Sequence, residues 1–322
     1  NEGVGFGDGP YAPYRQSERK ELGIYKKYSD KLELLTSYSS QQSDSLFGQT
    51  VVYDDLIFDN SKYGLIFAGA PGAESVRISS LDANVKDQTK VTISNPSSAG
   101  NFGSSIFVQR NTSTKTVLIS APSNTGTVYS YTVSVNSATV TASSATIIPA
   151  PTGVDVNSNW GYAIVGSDNA SIYAISAPGF SNNTGLVVVY NNDVATTIAS
   201  PFNANAKFGQ TMAMNADGSY LAISAPLQVN ATNSLGAVAI YTLTNNTYVL
   251  DQTIIHPVTG NSTKFGEAMD FNADSNVLVI TALGTSTSAL TSFDSDTTTF
   301  DENSSYFYAS ETGSGSAYLY SR

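Results

Sequence analysis

An aromatic residue followed by glycine recurs five times along the chain, at Phe47-Gly48, Phe102-Gly103, Trp160-Gly161, Phe208-Gly209 and Phe265-Gly266, at intervals of 55, 58, 48 and 57 residues. A repeat of this period restricts the fold more than any local propensity does, because each unit must bury its face against the next. About twenty residues after each pair, an apolar run ends in small residues and proline. The copies are Ala68-Gly69-Ala70-Pro71, Ile119-Ser120-Ala121-Pro122, Ile175-Ser176-Ala177-Pro178 and Ile223-Ser224-Ala225-Pro226; in the fifth, Ile280-Thr281-Ala282-Leu283, leucine replaces the proline. A glycine then leads an alternating apolar strand that ends in tyrosine, as in Gly185–Tyr190, Gly236–Tyr241 and Gly315–Tyr320. A fourth strand precedes the next aromatic-glycine pair, as at Val91–Ile93, Ala145–Ile148, Thr196–Ile198 and Gln252–Ile255.

Four strands per period predict an all-β chain, a β-propeller of four-stranded antiparallel blades. The residue types suit that role. A buried aromatic ring between blades contributes about 1.5–3 kcal/mol, the glycine admits close backbone approach, and proline ends a strand because it has no N–H to donate. Charged residues make up only 13% of the chain, too few for solvated helix faces. The abundant Ser, Thr, Asn and Gly fit short strands joined by polar turns.

The order of these elements resembles the FG-GAP repeat family of integrin-type propellers. The fullest copy runs from Phe208-Gly209 through Asn215-Ala216-Asp217-Gly218 and Leu221–Pro226 to Gly236–Tyr241. The resemblance covers residues 32–322 and implies an extracellular propeller. Five pairs predict five blades, the last lacking a fourth strand that Leu32–Thr36 would supply to close the ring. Gly23–Tyr28 also reads as a third strand, so part of a six- or seven-bladed ring is the alternative. Residues 1–31, with a glycine-rich start and a basic run from Arg15 to Lys31, are expected to form a flexible or docking arm. Residues 284–315, rich in Ser, Thr and acidic residues, interrupt the last blade.

The net charge of −11 opposes nucleic-acid binding, which needs Lys and Arg to neutralise phosphates. No run of 18 apolar residues is present, so no membrane-spanning helix is expected. The chain has no cysteine, which removes thiolate zinc sites and disulfides. The resemblance also implies calcium loops between the first two strands. Asp270, Asn272 and Asp274 keep three oxygen donors and form the one weak Ca²⁺ candidate; Leu278 and Leu221 stand where a further acidic ligand is needed. An ordinary turn closed by Asn or Asp is the competing reading. No cofactor is otherwise expected.

No nucleophile elbow, phosphate loop or metal-ligand cluster is legible, and the single histidine, His256, reads as structural. Sequons at Asn111, Asn169, Asn182, Asn230, Asn245, Asn261 and Asn303 all fall in expected turns. The combined expectation is a non-enzymatic extracellular or cell-surface propeller. Such a protein would serve as a structural or adhesion subunit that contacts other protein subunits or copies of itself. A carbohydrate-binding, lectin-type propeller is the alternative.

Overall fold

The computed structural model describes residues 2–5, 21–27, 32–39, 45–58, 61–81, 87–97, 100–110, 114–123, 126–136, 139–229, 235–256, 264–283 and 315–321. The strands fall into two units, Asn1–Thr152 and Gly153–Arg322. The first unit holds three antiparallel sheets. Strands β1 (Glu2–Gly5), β2 (Glu21–Lys27) and β3 (Leu32–Ser39) pair in that order. The next sheet is β4 (Thr50–Phe58), β5 (Ser61–Ala70), β6 (Ser75–Leu81) and β7 (Asp87–Ser94). The third contains β8 (Ile106–Val108), β9 (Thr114–Ala121), β10 (Thr127–Asn136), β11 (Thr139–Ala142) and β12 (Thr146–Ile148). Both β11 and β12 pair with β10, so its fourth strand is split in two.

The expected closing strand is placed differently. Leu32–Thr36 lies in β3 and pairs with β2, with Ile24 opposite Thr36. Only four residues separate β2 from β3 in the chain, so this pairing costs far less loop-closure entropy than one with a strand near residue 320. The boundary expected at residue 31 therefore falls between two paired strands.

The second unit repeats the pattern. One sheet is β13 (Ile164–Gly166), β14 (Ile172–Ala177), β15 (Leu186–Asn191) and β16 (Val194–Ala199). The next is β17 (Met212–Met214), β18 (Tyr220–Val229), β19 (Leu235–Thr244) and β20 (Thr247–Ile255). The last, among the described residues, has three strands, β21 (Met269–Phe271), β22 (Val277–Leu283) and β23 (Gly315–Ser321). These are the four-stranded antiparallel blades of a β-propeller. Pro71, Pro122 and Pro178 each follow the last residue of a second strand, but Pro226 lies inside β18. There the pairing shifts between Ala225 and Val229, an irregularity that accommodates the missing N–H.

The repeated motif is a hydrogen-bonded clamp within four of the blades; at the Phe47-Gly48 copy the Gly48 N–H donates to Gly69 O, and glycine has no hydroxyl for the other half. The N–H groups of Gly103, Gly161, Gly209 and Gly266 donate to the carbonyls of Ser120, Ser176, Ser224 and Thr281 at 2.8–2.9 Å. The hydroxyls of those same four residues accept the N–H groups of Ser105, Ala163, Thr211 and Ala268, each at 3.0 Å. All four glycines have positive φ. A Cβ at Gly209 would lie 2.9 Å from Ser176, and one at Gly266 2.7 Å from Ser224, both in the preceding blade. The five aromatic residues are buried. Phe102 packs among residues of β5, β6, β8 and β9, Phe208 among residues of β14, β15, β18 and β19, and Phe265 among residues of β18, β19, β22 and β23. The rings of Phe102, Phe208 and Phe265 thus each seal one blade to the one before it.

Candidate functional site

In the second unit the first strands β13, β17 and β21 lie side by side. Each is entered from an aromatic-glycine pair, which leaves one residue between the glycine and the clamp: Tyr162, Gln210 and Glu267. Tight turns precede two of them, with the Tyr162 N–H donating to Asn159 O and the Gln210 N–H to Lys207 O, both at 3.1 Å. Thr211, next to Gln210, donates its hydroxyl across to the Glu267 carbonyl at 2.9 Å. Thr50 does the same to Ser104 O at 2.6 Å in the first unit. The threonine therefore fixes the following blade's variable residue through its backbone.

Glu267 is unusual in this setting. Its Oε2 is buried and finds no hydrogen-bond partner among the described residues. An ionised oxygen without a donor is costly, so such an atom marks a place where another donor is expected. Its charge acts on Tyr162, whose phenol is raised above the ordinary tyrosine range first by burial and then by Glu267. Tyr162 stays protonated at neutral pH and is 42% exposed. A proton acceptor and a proton donor thus share one locality, which can support acid–base chemistry.

These three residues carry no sequence motif. Their signal is that the position after each aromatic-glycine pair changes chemically from copy to copy (Gln49, Ser104, Tyr162, Gln210, Glu267) while its neighbours repeat.

The calcium candidate lies at the turn between β21 and β22. Asp270 and Asp274 are exposed, and Asn272 Oδ1 accepts the N–H groups of Asn276 and Val277 at 3.0 and 2.8 Å, while its Nδ2 donates to Asn276 Oδ1. Asn272 thereby closes a turn, as Asn215 and Ser167 do in the two preceding blades. No group of three His, Cys, Asp or Glu residues that could hold a metal occurs among the described residues. In the Asn215 turn, Asp217 Oδ1 accepts from Asn215 Nδ2 and the Ser219 N–H. Its pKa is held below the ordinary value, first by the Ser219 side chain. A depressed folded pKa gives stability present above the ordinary carboxylate range and lost as pH falls through the folded value. Wild type is therefore expected to exceed Asp217→Asn by a few tenths of a kcal/mol at neutral pH, the carboxylate being well exposed. Thermal melts of the two proteins should converge below pH of about 4.

His256 is 2% exposed; its Nε2 lies 3.1 Å from the Tyr318 hydroxyl, and its ring meets Phe265 and Tyr318 edge-on. It is a core residue at a blade interface. Of the sequons, Asn169, Asn182 and Asn245 are exposed, Asn182 and Asn245 with positive φ. Asn169 Oδ1 is engaged by the N–H and hydroxyl of Ser171. Asn111, Asn230, Asn261 and Asn303 lie outside the described residues, as does nearly all of the 284–315 segment. Two further polar elements were not legible in advance. Lys115 and Asp54 form a buried ion pair between β9 and β4. Glu74 accepts the N–H groups of Asn101 and Phe102 through Oε1 and Oε2 at 2.6 and 2.9 Å, and Asn95 Nδ2 at 2.8 Å, so its carboxylate holds the next aromatic-glycine loop.

No family model matches this chain, and no curated protein does. Solved structures do. The Dos1 propeller is similar over 94% of this chain at TM-score 0.51 and 12% identity, with the match spanning 62% of that protein. A putative 6-phosphogluconolactonase from Bacteroides fragilis is similar over 82% of this chain and 72% of its own, at TM-score 0.51 and 13% identity. The periplasmic gluconolactonase PpgL of Pseudomonas aeruginosa covers 84% and 76%, at 0.52 and 12%. At these identities the likeness carries the propeller fold. No helix among the described residues is long and apolar enough to cross a membrane.

The expectation of a non-enzymatic structural or adhesion subunit, with a lectin as its alternative, is corrected by these neighbours, two of which are named for lactone hydrolysis. In a blade repeat, polar groups about fifty residues apart in sequence meet at the loops, so a reactive set leaves no contiguous motif.

Proposed function

We propose that this chain is a propeller hydrolase that opens cyclic esters of small polyhydroxy acids. The observation carrying the reading is the buried, unpartnered Glu267 Oε2, on a carboxylate whose charge also acts on the Tyr162 phenol; the two lactonase-named neighbours supply the substrate class. In the reaction, Glu267 takes a proton through its other oxygen, Oε1, from a water whose oxygen bonds to the ester carbonyl carbon. The ring C–O bond then breaks, its electron pair leaves on the ring oxygen, and that oxygen takes the proton back from Glu267. The product is the open hydroxy acid, one water heavier. Tyr162 donates a hydrogen bond to the negative charge that builds on the carbonyl oxygen.

Purified protein is expected to accelerate gluconolactone opening, followed by acid release in weakly buffered solution. Glu267→Gln should lower kcat by about 10²-fold or more, the usual share of a general base, with a melting temperature no lower than that of wild type. Equal rates in the two proteins would remove Glu267 from the chemistry, and a wild-type rate equal to that of buffer would reject the hydrolase reading.

A further inference from the structure

The proposed substrate class leaves open whether the substrate is charged, since the names of the two lactonase-like neighbours include one phosphorylated and one unphosphorylated substrate. Four observations bear on the choice. Glu267 is the acidic member of the set formed by Tyr162, Gln210 and Glu267, and no cation pairs with it among the described residues. Its buried Oε2 needs a donor, which a substrate hydroxyl supplies, and its charge repels a phosphate dianion on the same substrate. The position of Glu267 is set from the neighbouring blade by the Thr211 hydroxyl, which donates to its carbonyl at 2.9 Å. Tyr162, 42% exposed, adds an aromatic surface suited to the apolar face of a sugar-like ring.

Resting on the hydrolase reading, we propose that the site takes an uncharged polyhydroxylated ring, with one substrate hydroxyl donating to Glu267 Oε2 and Thr211 acting as the positioning residue for that carboxylate. The raised phenol of Tyr162 agrees with a carboxylate held close by.

The test compares gluconolactone with its 6-phosphate in wild type, Thr211→Val and Thr211→Ser. It adds binding of glucitol, an unreactive polyol, by ligand-observed NMR. Wild type should favour the unphosphorylated lactone in kcat/KM by about tenfold, the scale of two like charges roughly 12 Å apart at the dielectric of a protein surface. Thr211→Val should raise KM for the lactone and weaken glucitol binding, and Thr211→Ser, which keeps the hydroxyl, should restore both. The Tyr162 phenol, identified in ultraviolet titration by its loss in Tyr162→Phe, should titrate at lower pH in Glu267→Gln and shift in Thr211→Val. An equal or reversed preference would overturn the proposal and move substrate reading to Lys207 and Lys264, which precede the two aromatic residues. A Thr211→Val protein that matches wild type in KM and phenol titration would remove the positioning role. If no lactone is hydrolysed, the hydrolase reading fails alone. Glucitol binding that is lost in Glu267→Gln would then still support the uncharged-ring site, and no glucitol binding would overturn it.

Discussion

Replacing Lys115 with methionine is expected to destabilise the protein by about 3–5 kcal/mol, the cost of leaving one partner of a buried ion pair uncompensated. Lys115 is fully buried and Asp54 is 2% exposed. The ammonium donates to Asp54 Oδ2, and its next acceptor, Gln109 O, is 3.5 Å away. Removal of the lysine strands a carboxylate at a blade interface, beyond the reach of water. The pair itself contributes much less, because desolvating two charges offsets most of their attraction. The double variant Lys115→Met, Asp54→Leu should therefore recover most of the loss, and urea unfolding of the three proteins measures this directly. A Lys115→Met protein within about 1 kcal/mol of wild type would mean that Asp54 reaches solvent after all.

Phe208→Ala should cost about 3–5 kcal/mol, as a large-to-small change in a packed interior. The ring lies 6.0 Å from Phe202 and 6.5 Å from Tyr241, and it shares a cluster with Val187, Val189, Leu221 and Ile223 from two sheets. Collapse around the void is limited, since the backbone of Gly185 bridges to Phe208 and a Cβ at that glycine would already stand 2.1 Å from Phe208 O. Val194→Ala is the control: that side chain is 67% exposed, so its loss should stay within about 0.5 kcal/mol. Similar losses in thermal unfolding would show that the aromatic position does not join blades.

The blades were readable in the sequence because the motif residues perform backbone duties that few others can. Glycine accepts the positive φ at 103, 161, 209 and 266, and Ser or Thr at 120, 176, 224 and 281 supplies the clamp hydroxyl. The partner of Leu32–Thr36 was not readable, because a fourth strand carries the same alternating pattern whichever neighbour it joins. Lys115 and Asp54 stayed hidden for a related reason. Sixty-one residues separate them, and each resembles an ordinary surface charge until the topology sets them face to face. Glu267 was not readable because an isolated acid has no spacing to mark it, whereas Asp270, Asn272 and Asp274 share the spacing of a ligand set.

The clamp that ties four of the aromatic-glycine loops to their own second strands uses main-chain groups on one side and a Ser or Thr hydroxyl on the other. The side chain that follows the glycine takes no part in it. Tyr162, Gln210 and Glu267 can therefore be exchanged by single substitutions while the loop geometry stays fixed. A lineage built on this scaffold could pass from one chemistry to another through stable intermediates, which separates the history of its activity from the history of its fold.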